Sequence, residues 1–401
     1  MLSVHSCPMG KIGSKDTGGM SIYIRELSAE LGKQGHQVDV FTRAHDPMDS
    51  EIIEVGQGVR LIHLRAGEVK DIHKTMVYSY LDDFASNLED FRRNCGLRYD
   101  LIHSHYWLSG CVGRLMKELW QVPHIMMFHT LGAVKNAASM EGIEPDIRIR
   151  REWGMVQDCD RIIAATEQER TDLINYYYAP PGRIAVVPCG VNLELFRSMD
   201  KELARCYLGL DKRRTILFVG RIEALKGIDD LLRAMSCLQD YRGIRLVVVG
   251  GDEQSQPELA GLRNLAYSLG IGDSVDFIGM VDQQELPYYY NAADVCVIPS
   301  YYESFGLVAL ESLACGTPIV ATRVGIIESL FEHHDAGYMV DDHEPSHIAE
   351  GIINVLSTTG LRAKTAEESR AVVAGFSWRD VARDIDGQYQ VMLGCREALP
   401  C

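Results

Sequence analysis

The sequence predicts an α/β protein made of two doubly wound halves, each built on a parallel sheet. Three observations carry this. Strand-like apolar runs alternate with helical patterns along the chain. Its 401 residues exceed what one hydrophobic core organises and suit two domains. A turn at Pro188-Cys189-Gly190, followed by the polar stretch 197–214, separates two such series.

In order, Leu2–His5 reads as the end of a buried strand, either short or lacking its first half. The helix Ser21–Lys33 follows, then strands at Val38–Thr42, Arg60–Leu64, Leu101–His103, His124–Phe128, Arg161–Ala165 and Ile184–Val187. The second series has strands at Thr215–Val219, Arg245–Val249, Ser274–Ile278, Val295–Ile298 and Pro318–Ala321, with a plain helix at Asp229–Gln239. Their continuous Val/Ile/Leu runs suit strands covered on both faces. The halves are placed at 1–193 and 194–375. The tail, 376–401, is a helical pattern that starts with the large apolar residues Phe376 and Trp378 and can cap either half. Two such sheets set their carboxyl ends face to face, where ligands bind.

Composition narrows the partners. A net charge of −16 argues against a general nucleic-acid binder and against a protein held to anionic membranes by charge. No apolar run approaches a membrane span, and the N-terminus lacks a signal-type apolar core. Eleven cysteines, an odd number without C-x-x-C pairs, suit a reduced, cytoplasmic chain.

The most informative segment is Ser300–Pro318. Glu303 and Glu311 stand eight residues apart, and Phe305-Gly306 opens a helical run, Leu307–Ala314. A helix start with glycine at its mouth offers unpaired N–H groups and a positive dipole end, so it suits a phosphate. Glu311, about two turns in, can accept hydrogen bonds from sugar hydroxyls. Phosphate plus hydroxyls means a nucleotide sugar. Arg221 and Lys226 lie five residues apart in a glycine-bounded turn after a strand. They can neutralise a diphosphate leaving group.

In the first half, Asp16-Thr17-Gly18-Gly19-Met20 sits between the first strand and first helix, where two glycines admit close approach to a ligand. His103-Ser104-His105-Tyr106-Trp107 and Phe128-His129-Thr130 end strands at the same edge, and His129 reads as a polar contact to substrate. Lys74, Lys135, Arg148, Arg150 and Arg151 concentrate positive charge in an acidic chain, which suits an anionic substrate. No metal is expected. His103 and His105 have no third ligand at metal spacing, and the triplets Asp158-Cys-Asp160 and Asp384-Ile-Asp386 do not follow strands. No P-loop, catalytic serine elbow or G-x-G-x-x-G is present.

These motifs, with Pro-Cys-Gly-Val-Asn at 188–192, resemble the retaining glycosyltransferases of family 4, which have the GT-B fold, over nearly the whole chain. The stretches 103–110 (HSHYWLSG), 129–138 (HTLGAVKNAA) and 16–20 (DTGGM) resemble the branch acting on D-inositol 3-phosphate, with sucrose-phosphate synthases next. The resemblance implies that Arg221 and Lys226 hold the donor diphosphate, that Glu303 faces the donor sugar and that Glu311 holds the ribose. It places Gly18, Gly19, Val281, Phe305, Gly306 and Leu307 around the donor, and His129 near the transferred sugar. His5, Met20, Lys74, Tyr106, Thr130 and Arg150 correspond to the acceptor side. The tail helix is expected to cross back onto the first half. Ser21, where that branch usually has Asn, and the loop Glu223–Ile228 depart from its pattern and bear on which acceptor is used.

The expected activity is retaining transfer of a hexose, GlcNAc or glucose, from a UDP-sugar to a hydroxyl of a small phosphorylated acceptor such as inositol phosphate. No cofactor is expected beyond the donor itself. The alternatives are transfer to fructose 6-phosphate, a sugar-nucleotide epimerase of the same architecture, or a non-catalytic binding protein. A homodimer is compatible with the sequence, which does not give the oligomeric state.

Overall fold

The computed structural model describes residues 1–10, 17–138, 144–239, 241, 243–333, 337–358 and 372–397. Asp16 of the glycine turn lies outside them. In chain order the first half contains α1 (Gly19–Lys33), β1 (Val38–Arg43), β2 (Ile52–Gly56), β3 (Val59–Leu64), α2 (Lys74–Val77), α3 (Leu81–Asn94), β4 (Ile102–His105) and α4 (Tyr106–Trp120). It continues with β5 (His124–Met127), α5 (Gly132–Ala138), α6 (Asp146–Asp158), β6 (Arg161–Ala164), α7 (Glu167–Tyr177) and β7 (Ile184–Val186). Strands β2-β3-β1 and β4-β5-β6-β7 form two runs joined through Leu2, which bridges Phe41 and Ser104 in parallel. Leu2 N–H donates to His103 O at 2.9 Å, and Ser3 N–H donates to Phe41 O at 2.9 Å. Leu2–His5 therefore closes the sheet, as its apolar pattern suggests.

After α8 (Lys201–Leu208), the second half contains β8 (Arg214–Val219), α9 (Ile228–Cys237), β9 (Ile244–Val249), α10 (Gln256–Ser268), β10 (Val275–Gly279), α11 (Leu286–Ala292) and β11 (Val295–Ile298). It ends with α12 (Leu307–Ala314), β12 (Ile319–Thr322), α13 (Ile327–His333), β13 (Gly337–Val340) and α14 (Pro345–Ser357). Its sheet runs β10-β9-β8-β11-β12-β13, with every pairing parallel. The order turns back at β8, and such a reversal opens a crevice at the strand ends.

Two strands escape the sequence reading. β2 pairs antiparallel with β3 and is mostly exposed, so it lacks the buried-strand signature. β13 is a short edge strand that begins on Gly337.

Each sheet is covered on both faces. One apolar cluster packs Phe84, Leu88, Leu108 and Val112 against the first sheet, and another packs Leu231, Leu232 and Ile352 against the second. A third cluster continues across the junction between the halves, from Tyr23, Leu27 and Ile163 to Leu310, Ile327 and Trp378. The C-terminal helix, Trp378–Glu397, packs on α1 of the first half. Trp378 meets Tyr23 edge-on with ring centroids 5.5 Å apart, and the Tyr389 hydroxyl lies 2.8 Å from His103 Nδ1. Val191 bridges Ser377, so the outgoing and returning segments run side by side at the junction.

Candidate active site

The carboxyl ends of the two sheets face one cavity of about 340 Å³. His5, Tyr106, His129 and Thr130 line it just past strands of the first sheet. Arg221, Gly250, Val281 and Glu303 line it past strands of the second.

Two helix starts open on the cavity. α12 is preceded by Gly306 at φ 106°, ψ 51°, without a side-chain cap. α1 is preceded by Gly18, also without a side-chain cap. The first N–H groups of an α-helix have no partner inside it, so each start is a donor cluster. A Cβ built on Gly19 would sit 3.4 Å from Leu307 Cδ1, so the two starts face each other across the cleft.

Arg221 and Lys226 flank this gap from the turn after β8. The turn closes on Gly227 at φ 66°, where a Cβ would lie 2.1 Å from Pro299 O. Glycine is required there both by conformation and by space. Arg221 Nη1 pairs with Glu223 Oε1 at 2.7 Å. Lys226 Nζ pairs with Glu303 Oε1 at 2.5 Å, and the same oxygen accepts from Ser300 Oγ at 2.9 Å. Both cations are thus held by carboxylates that an anionic ligand can replace.

Glu311 lies within α12, buried, and accepts the Tyr290 hydroxyl at 2.7 Å. Burial pushes its carboxyl up to about 7, and the Tyr290 hydrogen bond only partly opposes this. The group therefore exchanges its proton near neutrality.

His129 follows β5 at φ 60°. Burial holds its imidazole down to about 3, so it is neutral at physiological pH. Its Nε2 lies 3.0 Å from His105 Nδ1, and the His105 ring packs 4.3 Å from that of His103, which reaches Tyr389. His103 and His105 are thus internal supports for His129, and burial drives both below the usual histidine range.

On the first-half side His5, Met20, Lys74, Tyr106 and Thr130 line the same cavity. His5 and Tyr106 pack with ring centroids 4.4 Å apart. Arg150 is a correction: its side chain is 77% exposed, pairs loosely with Asp146 at 3.8 Å and does not line the cavity. Residues two apart on a helix point to nearly opposite sides, and it is Arg148 that faces inward. Arg148 is 1% exposed, donates to Thr130 Oγ1 at 2.9 Å and to Glu152 Oε1 at 2.6 Å, and lies 4.9 Å over the Tyr106 ring. Burial alone would raise the carboxyl of Glu144, but Arg148 and Lys135 bring it down to about 2.

Tyr302 is a lining residue that the sequence reading missed. It comes from the second half and lines the cavity beside His129 and Thr130 of the first. Its place beside Glu303 was the available signal. The two D-x-D triplets are taken up by neighbouring side chains: Asp158 pairs with Arg114, Asp160 with Lys117 and Asp384 with Arg383, while Asp386 lies 3.0 Å from His36 Nε2. Among the described residues, one three-ligand group suited to a metal, His45, Asp49 and His63, lies outside the cavity.

Two facing α/β halves, with two helix starts, a cation pair and a buried carboxylate on one cleft, are the architecture of the GT-B class. A family model described as Glycosyltransferase Family 4 matches residues 17–195, and one described as Glycosyl transferases group 1 matches residues 200–372. The D-inositol 3-phosphate glycosyltransferase of Corynebacterium efficiens is 36% identical over 398 residues, covering 97% of this chain and 94% of that protein. D-inositol 3-phosphate glycosyltransferase 2 of Catenulispora acidiphila is 42% identical over 393 residues, covering 95% and 92%. The solved structure of sucrose-phosphate synthase from Thermosynechococcus elongatus superposes with a TM-score of 0.90 at 32% identity, covering 98% of each chain. The chain belongs to glycosyltransferase family 4 and is a glycosyl-transferring enzyme.

Proposed function

We propose that this enzyme transfers a hexose from a UDP-sugar, with retention, to a hydroxyl of a small phosphorylated acceptor of the inositol phosphate kind. The single observation that carries this reading is the pair of helix starts facing each other beside Arg221 and Lys226, with Lys74 on the same cavity. The second half, 194–375, binds the donor and the first half, 1–193, the acceptor, in a cytoplasmic enzyme. Gly18, Gly19, Phe305, Gly306 and Leu307 surround the diphosphate, Glu311 accepts the ribose hydroxyls, and Glu303 and His129 face the transferred sugar.

Arg221 and Lys226 neutralise the leaving diphosphate as its charge develops. Glu303 is tied to Lys226 and Ser300, which suits a sugar-positioning carboxylate better than a covalent nucleophile. We assign the acceptor's proton to the departing phosphate oxygen on the same face, so that catalysis is positioning plus charge stabilisation. Closure of the halves excludes water. No metal is assigned to the diphosphate.

A second reading, transfer to fructose 6-phosphate, is favoured by the likeness to sucrose-phosphate synthase. The deciding experiment supplies UDP-, GDP- and ADP-sugars with inositol 3-phosphate, fructose 6-phosphate or their dephosphorylated forms. Lys74→Ala should raise the KM for the phosphorylated acceptor roughly ten- to hundredfold, the value of a lost charge-assisted hydrogen bond, and leave nucleotide affinity unchanged. Equal use of phosphorylated and dephosphorylated acceptors by the unmodified enzyme overturns the phosphate assignment. Epimerised donor without acceptor would point to the epimerase, and binding without turnover to a non-catalytic protein.

A further inference from the structure

His45, Asp49 and His63 come together in the first half, Cys7 adjoins them through His63, and none of the four lines the active-site cavity. They derive from three segments: Cys7 from the stretch after the Leu2 bridge, His45 and Asp49 from the turn after β1, and His63 from β3. One donor atom each from His45, Asp49 and His63 lies within 4.8 Å of the others.

His63 and Asp49 are pre-set. His63 Nδ1 lies 2.8 Å from Ser50 O. A carbonyl can only accept, so Nδ1 carries the proton and Nε2 keeps its lone pair. That Nε2 lies 3.6 Å from Cys7 Sγ. With Zn–N near ~2.0 Å and Zn–S near ~2.3 Å, a tetrahedral site sets N and S about 3.5 Å apart. The backbone carbonyl behind a histidine ligand is the usual outer support of such a site. Asp49 Oδ2 is fixed by the N–H groups of His45 and Asp46 at 3.0 and 2.9 Å, and it lies 3.0 Å from His45 Nδ1. His63 is buried and Asp49 largely covered, whereas His45 is a third exposed and free to adjust.

We propose that Cys7, His45, Asp49 and His63 form a zinc site that staples the glycine turn of the active site to the sheet edge. Two imidazoles, a carboxylate and a thiolate are the mixed N/O/S set that zinc accepts in four-coordinate geometry. On binding, the Cys7 S–H bond breaks, a sulfur–zinc bond forms and the proton passes to solvent. The mechanical link runs through the Cys7 turn: Gly10 N–H donates to Cys7 O at 3.0 Å, and a Cβ on Gly10 would meet Thr17 Oγ1 at 3.1 Å. Thr17 immediately precedes Gly18 and Gly19.

The test uses the full chain, purified without an immobilised-metal column and stripped with chelator. Zn²⁺ is titrated in competition with a chromophoric chelator, and Co²⁺ serves as the spectroscopic probe. One Zn²⁺ per chain with a raised melting temperature is expected, together with a thiolate-to-cobalt charge-transfer band. Cys7→Ser should abolish that band, and His45→Ala should weaken Zn²⁺ binding by more than the ~10–100-fold that an outer-shell partner costs. His45 is chosen because it lies in a partly exposed turn, whereas the buried His63 also supports the fold. Cys95→Ser, at an exposed thiol, should change nothing. Absence of stoichiometric Zn²⁺ binding, a cobalt spectrum without the thiolate band, or unchanged affinity in His45→Ala each overturns the proposal.

Discussion

At the scale of single residues, the cleft combines opposite charges already in contact with carboxylates whose state depends on the ligand. Lys226 is held by Glu303, and the proposed clamp requires a diphosphate to displace that carboxylate. Lys226→Ala should lower kcat by ~10²–10³-fold, the typical loss of one transition-state donor, with the circular dichroism spectrum intact; near-normal turnover removes it from the diphosphate clamp. Glu311 makes a pH prediction. Its carboxyl is pushed to about 7 by burial, so below that pH it is protonated and, in the proposed role, loses its capacity to accept from both ribose hydroxyls. Affinity for UDP-glucose, whose diphosphate does not titrate there, should weaken as pH falls below about 7, approaching tenfold per unit, and level off above about 8. Calorimetry across that range should show the slope, and Glu311→Gln should flatten it. The same upward shift means that Glu311 contributes stability below the ordinary carboxylate range that is lost as pH rises through about 7. The cavity lining was legible in sequence wherever it sat in a short motif, as at Arg221, Lys226, Glu303 and Glu311. The choice between Arg148 and Arg150 was not, because it depends on how α6 is rotated against its neighbours, and no local spacing states that.

At the scale of elements, the site is a matter of where helices begin. α12 falls on the residues read from sequence, Leu307–Ala314, because Gly306 ends the preceding turn in a left-handed conformation and an apolar run follows it. β2 was not readable, since an exposed antiparallel edge strand needs no apolar run. Two glycines separate conformational strain from crowding. Among the described residues Gly306 at φ 106° has only Ile326 Cγ2 near an added Cβ, at 3.7 Å, so Gly306→Ala meets conformational strain alone, about 1–2 kcal/mol. Gly227→Ala adds a clash with Pro299 O, so its stability loss should be larger, above about 2 kcal/mol. It should also disturb Lys226, one residue away. Urea midpoints and kcat of the two variants, measured together, test the order; equal losses would show that the turn before α9 gives way.

At the scale of the whole molecule, the alternation of strands and helices announced two doubly wound halves, and each sheet formed largely from the runs expected. The return of the C-terminal helix to the first half came only from resemblance, because no periodicity records which surface a distant helix covers. Gly190 shows how close that packing is: a Cβ there would lie 2.6 Å from Trp378 Cδ2. Trp378→Ala should therefore cost about 3–5 kcal/mol, as for other buried tryptophans. The loss should appear in the first half, through Tyr23 and His103, although the mutated residue lies far along the chain from both. Hydrogen exchange that speeds up in α1 and β4 would show this; a loss confined to the second half would contradict it.

The returning helix also sets the order of events during synthesis. The first half leaves the ribosome near residue 193, but the helix that covers Tyr23 and His103 starts only at Trp378. At the usual rate of elongation, roughly 10–40 s separate the two. For that interval the nascent first half holds an apolar face open to water, and it is then that a chaperone can engage it. The first half is thus covered only once the helix from Trp378 has been made.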